Sequence, residues 1–360
     1  MSKSMYIHVP FCDSICAYCD FERCKRIEVL SNKWLFQIVK DIESRKDEDI
    51  ETLYIGGGTP SCLSLDELDA LLSACDSFNP IEYTIEANIE NLTRDKIECM
   101  VKYGVNRISL GVQSLNDDLI RVINRNHTSD MIFSKIDEIY DLGIHNISVD
   151  MIYGLPEQTL DIWLSDLRKL TTNPKISHIS IYSLTIEKNS QFGRNNVEKI
   201  DEELDEEMYF KAIECLENNG FKQYEISNFC RENKESKHNT TYWEYEDFIG
   251  LGCGAYGKEN HIYYHNPFRI NEYINNTLIK EETYLDKEDE MFEMIMMGLR
   301  MKKGISLNRF KEYFNEDLIL KYEKQIKKHQ ALNILELDEN NLKCSESGFG
   351  LLNDILIDFM

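Results

Sequence analysis

Met5-Tyr6-Ile7-His8-Val9-Pro10-Phe11-Cys12-Asp13-Ser14-Ile15-Cys16-Ala17-Tyr18-Cys19 sets the reading of the whole chain. Its apolar start, residues 5–9, predicts a short buried strand. A C-x3-C-x2-C cluster follows in one loop. Three thiols this close suit one soft metal centre. Three thiolates hold three irons of a [4Fe-4S] cluster, whose common protein complement is four, and the fourth iron would stay open. An open iron can take the amino and carboxylate groups of S-adenosylmethionine (SAM). An electron from the cluster then cleaves the sulfonium, chemistry that belongs to the cofactor while the protein supplies geometry. Two plainer readings stand beside this one. Zinc would need a fourth tetrahedral ligand, for which Cys24 and His8 are near; buried spectator cysteines would need none.

The 360 residues suggest two or three domains, one of them large enough for a barrel. A formal charge of −24 and the absence of a basic run argue against nucleic acid as a partner. No apolar run has membrane length and no signal peptide opens the chain, so the expectation is a cytoplasmic protein that is not integral to a membrane. Eleven cysteines, an odd number, fit a reducing compartment.

Predicted strands at 52–55, 82–87, 106–112, 145–152 and 178–184 follow the first, with helices at 33–45, 64–75, 93–103, 117–123, 129–142 and 160–170 between them. Strand and helix alternating six times predict a parallel sheet with right-handed crossovers, an incomplete (β/α)6 barrel of the TIM type. Cys12, Gly57, Glu86, Gln113 and Asp150 all fall near the carboxyl ends of their strands, where the sites of such barrels gather. Gly56-Gly57-Gly58 lets a ligand approach the backbone and exposes N–H groups, unless it is a plain tight turn. Glu86 and Asp150 offer acceptors for an ammonium or ribose hydroxyls, or are simply satisfied carboxylates. Gln113 can donate and accept. Arg125 can clamp a carboxylate, although a lone arginine is more often a surface group.

Beyond the sixth strand come an acidic helix at 201–219 and a strand at 224–229. His238-Asn239-Thr240-Thr241-Tyr242-Trp243 suits a flat aromatic ligand: His238 for an iron, Tyr242 or Trp243 for a ring, Asn239 to orient the loop. A structural loop with aromatic anchors is the plainer reading. Gly250-Leu251-Gly252-Cys253-Gly254-Ala255 is followed by a strand-like run rather than a helix, which excludes a dinucleotide fingerprint and leaves a tight turn near the barrel mouth. Helices at 292–301, 306–314, 316–329 and 349–359, with a strand at 334–337, predict a winged-helix-like α+β domain. The expected division is 1–228 for the barrel, 229–283 for a connecting region and 284–360 for the C-terminal domain.

Together these motifs resemble the oxygen-independent coproporphyrinogen III oxidase-like family of radical SAM proteins, and its heme-chaperone group within it. The resemblance runs from Tyr6 to the C-terminus. It rests on the opening stretch through Tyr18-Cys19-Asp20-Phe21, on Gly56-Gly57-Gly58-Thr59-Pro60-Ser61, Thr84-Ile85-Glu86-Ala87-Asn88 and Arg107-Ile108-Ser109-Leu110-Gly111-Val112-Gln113-Ser114, on Arg125 with His127, on Asp150 with Tyr153-Gly154-Leu155-Pro156, and on an HNxxYW signature at 238–243. It implies a [4Fe-4S] cluster on Cys12, Cys16 and Cys19. It implies SAM contacts from Tyr6, Tyr18, Gly57, Gly58, Thr59, Glu86, Gln113, Arg125 and Asp150. It also implies heme as cargo, at His238, Asn239, Tyr242 and Trp243. The partners would be an apo-hemoprotein acceptor and an electron donor for the cluster. The competing activity is oxidative decarboxylation of coproporphyrinogen III. The signature favours the chaperone, as does a start close to the cysteines, where the decarboxylases resemble one another in a longer extension. Ile89, Asn124 and Tyr256-Gly257 depart from the family, where proline, glycine and His-Ser are usual.

Overall fold

The structure is a computed structural model that describes residues 3–20, 23–276 and 280–360. Six strands run parallel: β1 (Lys3–Val9), β2 (Ile50–Gly57), β3 (Glu82–Asn88), β4 (Arg107–Gln113), β5 (Asn146–Tyr153) and β6 (Ile176–Ser183). Helices α1 (Glu28–Glu43), α2 (Leu65–Cys75), α3 (Arg94–Lys102), α4 (Asp117–Val122), α5 (Ser129–Asp141) and α6 (Leu160–Thr171) occupy the crossovers. Ile7, Leu53, Ile55, Ile85, Ile108, Leu110 and Val149 belong to one buried core with Trp34, Ile38, Leu68, Ile136 and Leu167 of the helices. The capping box expected at Ser64 is present: its hydroxyl accepts from Glu67 N at 3.2 Å, and Glu67 accepts from Ser64 N at 2.7 Å. Thr93 begins α3 as expected, but its side chain makes no capping bond.

The other face of the sheet is polar. Thr52 donates to Ser4 at 2.7 Å, Tyr54 to Glu86 at 2.8 Å and Ser109 to Asp150 at 2.9 Å, and Ser148 meets His178 at 2.8 Å. Parallel strands buried on both faces are normally apolar on both. Here the alternation of apolar and polar residues gives the barrel a hydrogen-bonding interior.

After β6, α7 (Glu202–Asn218) packs on α6. The strand expected at 224–229 is a hairpin of two short antiparallel strands, β7 (Lys222–Glu225) and β8 (Asn228–Cys230), of which β8 pairs antiparallel with β6. Then come α8 (Lys237–Trp243) and a strand that the sequence reading lacked, β9 (Phe248–Leu251). It lies parallel to β1, pairing Phe248 with Ser4 and Leu251 with Ile7. β10 (Tyr256–Glu259), β11 (Ile262–His265) and β12 (Glu281–Tyr284) continue the sheet antiparallel. The order β12-β11-β10-β9-β1-β2-β3-β4-β5-β6-β8-β7 does not close among the described residues, so the barrel is partial.

The C-terminal part holds α9 (Lys287–Leu299), β13 (Ile305–Ser306), α10 (Leu307–Phe314), α11 (Glu323–Ala331), β14 (Leu335–Leu337), β15 (Asn341–Cys344) and α12 (Leu352–Ile357). Its antiparallel sheet, ordered β13-β15-β14, and its helices are winged-helix-like and surround a separate core that includes Phe310, Ile326, Leu342 and Ile355. The helices expected at 316–329 and 349–359 are each two shorter ones. Among the described residues no helix is long and apolar enough to cross a membrane.

Candidate functional site at the barrel mouth

The cysteine loop is held from two sides. Ala17 N donates to Ile123 O at 3.1 Å, Phe192 N donates to Ala17 O at 2.9 Å, and Asn124 Nδ2 donates to Ile15 O at 2.8 Å. Asn124 has a φ of 63°, in the left-handed region where asparagine and glycine are the residues best tolerated. That explains why asparagine can stand where the family has glycine, and its amide adds a tie to the loop. Cys12 is buried beneath Thr59, whose hydroxyl lies 3.4 Å from its Sγ. Burial pushes the Cys12 thiol up to about 11, outweighing the Thr59 hydrogen bond and the Arg23 charge, which act the other way. Cys16 and Cys19 are half-buried. Among the described residues no three His, Cys, Asp or Glu side chains close on a single ion. Thiolates that each take a different iron have no need to meet at one point. Three thiols on one anchored loop therefore fit a four-iron cluster better than a tetrahedral zinc. Cys24 lies on a two-residue strand beside Phe11. Phe21 lies outside the described residues.

The glycine loop works by steric room. Gly57 has a φ of 109°, and a Cβ there would meet the His8 ring at 2.5 Å. The expectation of spare N–H groups is corrected: Gly57 N donates to Glu86 at 3.0 Å and Gly58 N to Val9 O at 2.8 Å. Glu86 also accepts from Tyr54, and its place inside the barrel pushes its carboxyl up to about 7. Asp150 accepts from Ser109 and Ser180, and burial raises it. Tyr6 stands deeper in the barrel, its hydroxyl 3.0 Å from His8 Nδ1.

Gln113 ends β4 with a φ of 72°, at an irregularity in the pairing with β5. A left-handed glutamine is strained, and such strain gathers at functional sites. Asp166 of α6 braces the turn, accepting from Ser114 Oγ at 2.7 Å and Leu115 N at 2.8 Å. Arg125 is 4% exposed. It pairs with Glu90 at 3.3 Å and bonds the Tyr18 hydroxyl, which in turn bonds Cys16. Its Nε is buried with no partner, the kind of orphan a ligand carboxylate satisfies. Glu90 also meets His127 Nδ1 at 3.0 Å, and His127 Nε2 lies 3.2 Å from Val112 O. Burial opposes ionisation of Glu90, but the His127 bond and the Arg125 charge hold its carboxyl down at about 2.

Sequence reading missed Tyr54, Glu90, Asp166 and the serines beside Asp150. The strict polar-apolar alternation of Arg107-Ile108-Ser109-Leu110-Gly111 and Glu82-Tyr83-Thr84-Ile85-Glu86 was the available signal for the interior ones.

The HNxxYW segment is at the other end. It forms α8, and its N-terminus is capped by Glu82, which accepts from Lys237 N and His238 N at 2.9 Å each. Glu82 and Thr52 stand at the amino ends of their strands. Thr52 is five residues before Gly57, roughly 16 Å at about 3.3 Å per residue. His238 is 1% exposed, with Nδ1 2.8 Å from Thr52 Oγ1, Nε2 2.7 Å from Tyr242 Oη and its ring stacked on Tyr54. His238 was expected to ligate heme; in this arrangement both its ring nitrogens are engaged inside the barrel floor. Tyr242 packs edge-on to Phe248, Asn239 is half-buried on the helix, and Trp243 faces the C-terminal part, stacked by Arg300 at 4.4 Å.

Residues 6–170 match the radical SAM superfamily, and residues 285–351 match the HemN C-terminal domain. The chain is 33% identical to the heme chaperone HemW of Lactococcus lactis, covering 99% of this chain and 97% of that one. It is 32% identical to the heme chaperone HemW of Bacillus subtilis, covering 99% of each. The chain belongs to the HemW family of radical SAM proteins. Its fold is also that of Escherichia coli coproporphyrinogen III oxidase (HemN), with a TM-score of 0.85 and 19% identity over 99% of this chain and 90% of that one. At that identity the likeness speaks for the fold alone. The remaining family departures are accommodated locally. Ile89 is buried at 3% exposure, and Gly257 leaves space that a Cβ would take from the Tyr264 ring at 2.2 Å.

Proposed function

We propose that this chain binds heme and passes it to an apoprotein, and that it carries a [4Fe-4S] cluster on Cys12, Cys16 and Cys19 with SAM beside it. One observation carries the cofactor reading. The ends of β1 to β5 bring the cysteine loop, Gly57, Glu86, Gln113 and Asp150 to one mouth, with the Arg125 orphan among them. The names of the HemW relatives supply the heme.

When bound, the cluster and SAM supply one-electron chemistry at the sulfonium. Cys12, Cys16 and Cys19 would be the cluster's thiolates. Arg125 would hold the SAM carboxylate by charge-assisted bonds. Glu86 would accept from the ammonium, whose charge would draw a carboxyl near 7 into its ionised form. Asp150 would accept from the ribose, and Gln113 would hydrogen-bond the ligand from the strand end. Gly57, Gly58 and Thr59 would line the approach, while Tyr18 ties Arg125 to the loop and Tyr6 closes the chamber from below.

Anaerobic reconstitution followed by iron analysis, hemin titration and a coproporphyrinogen III turnover assay on one sample tests the proposal. The expected result is about four irons per chain, saturable hemin binding and no decarboxylation. Rapid turnover without saturable hemin binding would replace the carrier by the decarboxylase.

A further inference from the structure

With His238 sealed in the floor, the heme of the proposed function needs a seat elsewhere. Beside the cysteine loop lies a cleft of about 470 Å³, its walls including Pro10, Arg23, Cys24, Cys253, Phe268 and Arg269. Pro10 leads directly into Phe11 and Cys12, and Arg23 donates to Cys19 O, so the cleft borders the cysteine loop. Glu272 also borders it and pairs with Arg269 at 3.4 Å.

Phe268 belongs at the same time to a three-ring patch. Its ring centroid is 4.5 Å from His265 and 6.1 Å from Tyr256, and His265 and Tyr256 are 5.4 Å apart. Tyr256 is 54% exposed and Phe268 38%, so two large rings face solvent at one place. His265 Nδ1 lies 3.3 Å from the carbonyl of Asn266. The His265 side chain is 18% exposed. Among the described residues Nε2 meets Glu281, a side chain 78% exposed, at 3.2 Å, and donates to its carboxylate.

The charge around the cleft is unusual for this molecule. In a chain of −24, Arg23 and Arg269 both line the cleft, the Arg269 side chain 83% exposed, while the nearby Arg26 is paired with Glu67 at 2.7 Å. Aromatic faces, guanidiniums at the edge and an accessible imidazole form the donor set for a flat iron ligand that carries carboxylates. An acidic protein partner would need the charge but would have no use for the rings.

We infer that this cleft and its aromatic patch are the heme seat, with Phe268 against the macrocycle, Arg269 and Arg23 meeting its propionates and His265 the axial ligand. The inference rests on the heme reading above. Ligation forms one bond from His265 Nε2 to iron; the Nε2 proton is given up and the ring carries its proton on Nδ1, which donates to the Asn266 carbonyl, while the contact with Glu281 is released, with no change of oxidation state.

Titration of the full chain with hemin and with iron-free protoporphyrin IX, followed by absorbance, tests it. Arg269→Glu and Phe268→Ala should each weaken both ligands, roughly tenfold for the charge reversal. His265→Ala should shift the hemin Soret band and weaken hemin but leave protoporphyrin IX as in the parent. Both Arg269 and Phe268 are exposed, and circular dichroism of each variant checks that it is folded. If the parent binds hemin and all three variants match it, the seat is wrong and the carrier reading stands. If the parent does not bind hemin at all, the carrier reading itself fails. Parent-like hemin binding with slower cluster reduction by a small acidic flavoprotein in Arg269→Glu would make the cleft a redox dock and overturn the inference.

Discussion

The Nδ1 of His238 lies 2.8 Å from the hydroxyl of Thr52, inside the amino-terminal end of the barrel. The first residue of the HNxxYW segment thus fills the barrel floor, hydrogen-bonded at both nitrogens and stacked on Tyr54. Replacing it by alanine strands the Tyr242 hydroxyl, leaves Thr52 with its bond to Ser4 alone and opens a void between rings. The expected loss is about 2–4 kcal/mol of stability, read from denaturant unfolding. An unchanged midpoint would mean that the floor does not depend on the ring.

Burial, aided by the nearby Arg107 charge, lowers His238 from 6.5 to about 3 in the folded chain, and His178 is lowered by the same two causes. A histidine held neutral when folded but protonated when unfolded stabilises fully above about pH 6.5. That contribution is lost as the pH falls toward 3. Substituting glutamine for His238 should therefore flatten the acid limb of stability against pH by up to about 1.4 kcal/mol per pH unit. Parallel curves for parent and variant between pH 6 and 4 would contradict the assignment.

Gln113→Gly should separate strain from binding. Relief of the φ of 72° should raise stability by about 0.5–1 kcal/mol, after the entropic cost of glycine is subtracted. SAM affinity by calorimetry should fall, because the amide is gone. A variant that loses stability and keeps SAM affinity would show that the left-handed turn is ordinary and the side chain is not a ligand.

Glu90→Gln removes a group that touches Arg125 and His127. SAM affinity should drop roughly tenfold as Arg125 loses its ionic brace. The parent carboxyl, held at about 2 against an ordinary 4.5, contributes stability that is present above pH 4.5 and lost as the pH falls toward 2. The two proteins should therefore differ by about 1–3 kcal/mol at pH 6 and converge near pH 2. A constant gap across that range would count against the pairing.

The six strand-helix units were legible because each pairs an apolar run with a helix of clear periodicity, as in Thr52-Leu53-Tyr54-Ile55 followed by 65–75. The cysteine spacing was legible for the same local reason. Phe248–Leu251 was not, because four residues ending in glycine turns carry no period, and only the free edge of β1 makes them a strand. The place of His238 could not be read either. Its chemistry permits iron ligation, and only the packing against Thr52, Tyr54 and Glu82 decides against it. Residues that brace others, such as Glu90 and Asp166, have no signal of their own, since each is defined by what the fold brings to it from a distance in sequence.

Helix α8 is seven residues long and is gripped at both ends. His238 sits against Tyr54, whose hydroxyl bonds Glu86 in the SAM chamber, while Trp243 lies under Arg300 of the C-terminal part. A rigid rod fixed at two ends cannot tilt at one without tilting at the other. A shift of Arg300 would thus be geared to the Glu86 carboxylate at the barrel mouth, and a shift at Glu86 would be felt at Arg300 in return.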